Sequence, residues 1–345
     1  MTSANTKNGF INWEALEHFI KTSLQLDDEK MIVEQFSEGY SNLTFLVKIG
    51  EWEGVLRRPP YGEVPKKAHD MKREYTILEK LHPHFQLAPK ALLFSEGDDM
   101  MEKHFYIMEK KQGIVVDDKI PFIEGVQSIE KEISQSLIDT LVSLQQVDYL
   151  QAGLDTIGRP EGFLERQVTG WIKRYELSAT DHIPAIKEVE NWLIKYMPTT
   201  TETTIIHNDF KLNNVILAAD APVRVTGVLD WELATIGDPL SDFGSAVAYW
   251  GQKEDPDLGI HVVTNQPGFY SRRELVEAYA TASKRDVSNM HYYLSFGFYK
   301  LAVILQQIYY RWRNGSLKDD RFTHLNTAVA NLIEMAYLAK ERQVL

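Results

Sequence analysis

The sequence predicts an α+β protein of two lobes, a small antiparallel-sheet lobe over 1–110 and a larger, mostly helical lobe over 111–345. Three observations predict it. Short segments up to Lys110 alternate apolar and polar residues with the period of a half-buried strand. From residue 128 onward the apolar spacing is helical through most of the chain. The length, 345 residues, is enough to bury more than one core. No internal repeat, low-complexity stretch or long linker interrupts the pattern, and the lobes are expected to meet within 108–113.

Asn12 has the side chain of a helix cap, and Trp13, Leu16, Phe19, Ile20 and Leu24 follow at helical spacing. The period then changes. Residues 31–36 and 43–49 read as strands around the turn Ser37-Glu38-Gly39-Tyr40-Ser41-Asn42, and 52–58 reads as a third. Pro59, Pro60, Gly62 and Pro65 make 59–65 a loop. Residues 70–81 are helical, with Met71, Tyr75, Leu78 and Leu81 on one side. Two more strands, 92–94 and 104–108, flank the turn-rich Glu96-Gly97-Asp98-Asp99 and complete the small lobe. Helices are predicted over 128–146, 162–177, 183–196, 272–281, 289–314 and 321–342. The only strand-like interruption expected among them is a hairpin of 214–218 with 224–229.

Composition excludes several classes of function. With 37 basic and 49 acidic residues the net charge is −12, which opposes sequence-independent nucleic-acid binding. Cysteine is absent, so there is no disulfide, no thiolate metal site and no catalytic thiol, a composition that fits a cytoplasmic protein. Residues 1–9 are polar and lack the apolar core of a signal peptide. The most apolar stretch, 294–310, is interrupted by Lys300, Gln306 and Gln307 and reads as a buried helix, not a membrane span. A soluble, cytoplasmic protein without nucleic-acid or membrane partners is expected.

The chemistry is carried by Ile205-Ile206-His207-Asn208-Asp209-Phe210-Lys211-Leu212-Asn213-Asn214 and, after the hairpin, by Val228-Leu229-Asp230-Trp231-Glu232. A carboxylate after an apolar approach, an amide five residues later and a second carboxylate closing an apolar strand are what phosphoryl transfer from a nucleotide requires. The first carboxylate orients the attacking hydroxyl, while the amide and the second carboxylate supply hard oxygen ligands for Mg²⁺. His, Asp and Asn are common in loops, so the first motif alone is a weak signal. The second Asp in the right order makes it a strong one.

These residues resemble the aminoglycoside-phosphotransferase and choline-kinase-like branch of the protein-kinase-like fold, from about Ile32 to the last helices. Gly237-Asp238-Pro239-Leu240-Ser241-Asp242-Phe243-Gly244 is similar to the subgroup of kinase domains found with acyl-CoA dehydrogenases. The resemblance implies a bilobal kinase-like fold and a small-molecule kinase that uses ATP, or GTP in its place, with Mg²⁺. It implies the reaction class far better than the substrate.

It also implies roles for individual residues. Asp209 is the catalytic carboxylate, and Lys211 matches the place where protein kinases carry a Lys near the γ-phosphate. Asn214 and Asp230 are the Mg²⁺ ligands. The phosphates belong under the turn holding Gly39, Ser41 and Asn42, where a glycine lets the backbone approach an anion. The third strand, which normally carries a Lys for the α- and β-phosphates, reads Val55-Leu56-Arg57-Arg58. Arg57 follows the apolar pair where the family's cation sits, and Glu74 in the next helix is its carboxylate partner. Met108, Glu109 and Lys110 form the hinge against which the base lies, with backbone contacts from Glu109 and Lys110.

Asp242-Phe243-Gly244 spells the tripeptide that marks the metal Asp of protein kinases, but Asp242 lies 28 residues beyond Asn214, against 16 for Asp230 (242 − 214 and 230 − 214). By the resemblance Asp242 opens a helix beneath the catalytic loop and accepts backbone hydrogen bonds from it. His207 reads as a loop brace, and Asn208 stands where small-molecule kinases usually have Gly. Glu232 stands open between a second ion, the substrate and the solvent.

Gly237-Asp238-Pro239 and a helical stretch follow the metal Asp too closely for a peptide-docking segment, so the expected acceptor is a small hydroxylated molecule. Arg166, Gln167, Trp171, Arg174, Tyr249, Trp250, Tyr299, Arg311 and Arg313 are the residues expected to face it. The late helix carries Lys300, Arg311 and Arg313 and no acidic residue, which points to a neutral or anionic acceptor such as a hydroxyacyl or sugar derivative. The competing view makes the aromatics core and the cations surface groups. A non-catalytic nucleotide sensor is the alternative function, motivated by Arg57 and Asn208 in place of Lys and Gly. A serine hydrolase is disfavoured, because Phe243-Gly244-Ser245-Ala246-Val247 is no Gly-x-Ser-x-Gly elbow.

Overall fold

A computed structural model describes residues 11–36, 42–61, 69–117 and 119–345. Its chain divides into two compact units, one of Met1–Gln112 with Gly227–Glu232, the other of Gly113–Thr226 with Leu233–Leu345.

The smaller unit begins with α1 (Trp13–Leu24), whose first turn is capped by the Asn12 side chain accepting from the Ala15 amide at 3.1 Å. The strands β1 (Ile32–Gln35), β2 (Leu43–Ile49) and β3 (Trp52–Arg58) form an antiparallel meander. After α2 (Met71–Leu81) the chain adds β4 (Ala91–Ser95) and β5 (Phe105–Glu109), and the five-stranded sheet has the order β1-β2-β3-β5-β4. Leu16 and Ile20 of α1 bury against Phe45 and Val47 of β2, Leu56 of β3, and Phe105 and Ile107 of β5. Side chains alternate along a strand. Leu56 therefore belongs to the α1 core, while Arg57 emerges on the other face and meets Glu74 of α2.

The larger unit is mainly helical: α3 (Ile129–Gln145), α4 (Phe163–Ser178), α5 (Ile186–Lys195), α6 (Pro239–Ala248), α7 (Arg272–Ser283), α8 (Met290–Arg313) and α9 (Leu325–Lys340). Short strands interrupt it. They are β6 (Ile114–Val115), β7 (Thr204–Ile206), β8 (Val215–Leu217), β9 (Val225–Val228) and β10 (Thr235–Gly237). The sequence anticipates the β8–β9 hairpin but not β6, which pairs with β8, nor the antiparallel pairing of β7 with β10. Strands of two or three residues are too short to display a period. Their effect is nonetheless local and specific, since Ile206 pairs with Thr235 immediately before His207.

The caps follow the sequence closely. Asp238 accepts from the amides of Leu240 and Ser241 at the start of α6, where Pro239 occupies the first turn. Ser271 and Glu274 form a reciprocal capping box on α7. Helices α6 and α8 approach so closely that a Cβ on Gly297 would lie 2.5 Å from the Gly244 carbonyl oxygen. Among the described residues no helix is long and apolar enough to cross a membrane.

Candidate active site

In the smaller unit the sequence-selected cation gathers three carboxylates. Arg57 donates from Nε to Glu74 Oε2 at 3.1 Å and from Nη2 to Asp230 Oδ1 at 2.6 Å, and its Nη2 lies 3.5 Å from Glu232 Oε2. The planar fork of a guanidinium allows this double engagement, which a single ammonium would make less well. Burial works against the Arg57 charge, but Glu74, Tyr106, Asp230 and Glu232 outweigh it and hold the group protonated. Glu74 is itself buried, and burial pushes its carboxyl up to about 7 against the pull of Arg57, with Asp230 and Glu232 adding repulsion. Arg58 turns the other way, donating to the Pro59 carbonyl at 3.1 Å and stacking 4.6 Å from the Tyr61 ring centroid.

Asn42 is tied into the same cluster. Its Nδ2 donates to Glu232 Oε2 at 2.7 Å, and its Oδ1 lies 2.7 Å from His69 Nδ1. Glu232 thus braces the residue that follows the turn, and its own carbonyl accepts from Arg73 at 3.0 Å. Gly39 and Ser41 of that turn lie outside the described residues. Met108 is buried in β5 opposite Val55. The Glu109 amide donates to the Lys90 carbonyl at 2.8 Å. Lys110 forms a surface pair with Glu53 at 2.9 Å.

In the larger unit the loop that begins at His207 is held one peptide at a time. The Asp242 carboxylate accepts from the amides of His207 at 2.9 Å and Asn208 at 2.7 Å. Burial raises the Asp242 carboxyl, while His207 and the two amides draw it back toward ionisation. Asn208 is left-handed, with φ of 66°, and its Nδ2 donates to the Leu233 carbonyl at 3.0 Å. Its own carbonyl accepts from Lys300 Nζ at 2.9 Å. The Asp209 amide donates to His207 Nδ1 at 3.3 Å, so the imidazole acts on the backbone of the loop.

The Asp209 side chain is held by Asn214 and Lys211, and the Tyr249 phenol also bonds it. Asn214 Nδ2 lies 2.9 Å and Lys211 Nζ 3.0 Å from Asp209 Oδ2. The same Asn214 nitrogen donates to the Asp209 carbonyl at 2.8 Å, which leaves the Asn214 amide oxygen as the atom for a hard cation. Lys211 sits 5.1 Å from the Tyr249 ring centroid, and burial followed by the Asp209 charge raises the Tyr249 phenol far above its ordinary range. Among the described residues no group of three or more His, Asp or Glu side chains forms a preassembled metal cage. Mg²⁺ commonly uses one or two carboxylates together with phosphate oxygens, so this donor set fits that ion.

The residues expected to face an acceptor separate in the structure. Lys300 lies 5.9 Å and Arg174 4.4 Å from the Trp171 ring centroid. Tyr249 adjoins Asp209. The others are used elsewhere: Tyr299 donates to buried Glu190 at 2.8 Å, Trp250 donates to the Tyr270 carbonyl at 2.8 Å, and Arg313 pairs with Asp181 at 2.7 Å. Arg166 bonds the carbonyls of Arg159 and Glu161, Arg311 is exposed, and Gln167 is half-buried on α4.

Comparison with known proteins places this geometry. The profile of the phosphotransferase enzyme family matches residues 32–275. Acyl-CoA dehydrogenase family member 11 of Rattus norvegicus is 35% identical over 306 residues, 86% of this chain and 39% of the relative. Acyl-CoA dehydrogenase family member 10 of Mus musculus is 30% identical over 330 residues, 94% of this chain and 31% of the relative. The chain therefore spans well under half the length of these relatives. A crystal structure from Ralstonia eutropha JMP134, provisionally assigned as an aminoglycoside phosphotransferase, shares 27% identity at a TM-score of 0.82, covering 96% of this chain and 99% of that one. Choline kinase from Cryptosporidium parvum Iowa II shares the fold, with 12% identity and a TM-score of 0.67 over 97% of this chain and 98% of its own. With its bilobal, kinase-like α+β fold and a family match that takes in Arg57, Asp209, Asn214 and Asp230, the chain belongs to the phosphotransferase enzyme family.

Proposed function

We propose that the protein transfers the γ-phosphate of ATP to a hydroxyl of a small molecule, in a reaction that requires Mg²⁺. The observation that carries this reading is the Asp209 carboxylate, held by Asn214 and Lys211 at the end of a braced loop. In the proposed reaction Asp209 accepts a hydrogen bond from the attacking hydroxyl and aligns its oxygen, and Lys211 attends the γ-phosphate. Asn214 and Asp230 ligate the metal through oxygen. When bound, Mg²⁺ would neutralise charge on the phosphate oxygens. Arg57, kept charged by its carboxylates, takes the place of the strand Lys on the α- and β-phosphates, with Glu74 fixing its direction. Gly39, Ser41 and Asn42 are assigned to the phosphate turn, and Met108, Glu109 and Lys110 to the base.

The acceptor in this reading is neutral or anionic. A cationic acceptor would be disfavoured beside Lys211 and Arg174, whereas a hydroxyacyl or sugar derivative would not. The test is transfer of label from γ-labelled ATP to a panel of neutral, anionic and cationic hydroxylated compounds. Wild type is expected to label a neutral or anionic compound only when Mg²⁺ is present. Asp209→Asn should lower the rate by about 10²- to 10⁴-fold, the usual contribution of a positioned base. Equal transfer by the two proteins would overturn the role given to Asp209.

A further inference from the structure

We infer that Lys300 is a positioning residue for Asp209, acting through the carbonyl of Asn208. The inference rests on the catalytic role proposed for Asp209, but the contact and its consequence can be measured without turnover.

Lysine is seldom buried, because its ammonium loses hydration that few interiors replace. Lys300 is only 9% exposed, and the hydrogen bond it makes is to a main-chain oxygen of the catalytic loop, at 2.9 Å. A methionine would fill the same space between α8 and Trp171, so packing alone does not call for a charge. The position of Lys300 follows from the helix contact. Gly297 lies one turn before it on α8, and the absence of side chains at Gly297 and Gly244 lets α8 lie against α6. That approach carries the Lys300 ammonium to the loop that Asp242 of α6 also holds.

The two groups divide the loop between them. Asp242 takes the amides of His207 and Asn208, which are the peptides entering the turn. The peptide leaving it joins Asn208 to Asp209. Its carbonyl is held by Lys300 and its amide by His207 Nδ1. Both ends of the peptide that delivers Asp209 are thus engaged by buried side chains. Asn208 is left-handed, a conformation that costs energy for a residue with a Cβ, so the orientation of this peptide needs external support. A bond from a charged donor supplies it. The Asp209 backbone in turn anchors Asn214 through its carbonyl, so a tilt of this peptide reaches both residues.

The experiment is hydrogen–deuterium exchange on the full chain, comparing wild type, Lys300→Met and Lys300→Arg, with γ-phosphate transfer from Mg²⁺-ATP measured on the same samples. Lys300→Met is expected to raise exchange in 207–214 by about tenfold or more, the scale of one lost bond to a charged donor, and to leave α6 and α9 at wild-type rates. Lys300→Arg should restore most of the protection. In transfer assays Lys300→Met should lower kcat while the KM for ATP stays near wild type. Unchanged exchange in 207–214, or a rise spread equally over α6, α8 and α9, would show a packing role and overturn the inference. If Lys300→Met does not fold, Lys300→Gln carries the same comparison, with a neutral donor in place of the ammonium. Absence of transfer by wild type would strike at the proposed function and leave the exchange result to decide whether Lys300 restrains the loop.

Discussion

Asn208 occupies a left-handed backbone conformation that glycine enters without strain, and the structure makes plain how it does so. Its φ is 66°, and its side chain donates to the Leu233 carbonyl at 3.0 Å. Asn and Asp enter this region more easily than other residues with a Cβ, because a short polar side chain can bond locally. Asp230 is also left-handed, with φ of 64°. Both lie in the motifs the sequence singles out, while Gln25, His69, Asp98, Lys284 and Arg342 adopt positive φ elsewhere in the chain. Asn208→Gly should therefore cost little, since lost strain offsets the lost bond. Asn208→Val should destabilise the fold by about 1–2 kcal/mol and slow transfer, because a branched side chain can neither adopt the angle freely nor replace the bond. Urea denaturation and transfer rates on the two variants check this. A Val variant as stable and active as the Gly variant would contradict it.

At the same scale the sequence distinguishes Arg57 from Arg58 only through the position of the apolar pair before them. The structure gives the physical content of that choice. Arg57 shares its face with Glu74, and Arg58 lies on the opposite face against Pro59 and Tyr61. Strand alternation was legible, but the partner of each face was not.

Among the elements, the long strands were the easiest to read. Strands β2 and β3 run seven residues each and occupy the predicted 43–49 and 52–58, because runs of that length between turn residues stand out in the sequence. Strands β7 and β10 have three residues each and escaped detection, although their pairing is what presents His207. The ends of the late helices shifted for a similar reason. Residues 320–322 form a separate 3-10 turn before α9 begins at Leu325, a boundary that apolar spacing does not mark. The α6–α8 contact was equally silent in the sequence, since a glycine within a helical pattern does not name the backbone it will meet. Gly297→Ala should force the helices apart and cost about 1–3 kcal/mol, as overpacking generally does. Chemical denaturation measures the loss, and the catalytic-loop amides should lose protection with it. Wild-type stability in this variant would mean that the two helices do not depend on their close approach.

On the scale of the whole molecule, the motif order pointed to the reaction class and the change of apolar period to the two-part α+β architecture, while the supporting contacts came from distant parts of the chain. Asn42 meets Glu232 across 190 residues of sequence, and Asn208 meets Lys300 across 92. No local pattern encodes either pairing. The chain carries a net charge of −12, yet Lys211 and Lys300 stand beside Asp209 and Arg57 stands among three carboxylates. Around Arg57 the carboxylates outnumber the cation, so a polyanionic nucleotide would need the added charge of a metal there. The central claim is that this nucleotide binds with a metal held in part by Asp230. Calorimetric titration of ATP, with and without Mg²⁺, into wild type and Asp230→Asn tests it most directly. The account predicts binding by wild type that requires Mg²⁺ and weakens at least about tenfold in the variant, the effect of losing one charged ligand. Binding indifferent to both the metal and the substitution, or no binding of ATP or GTP at all, would contradict it.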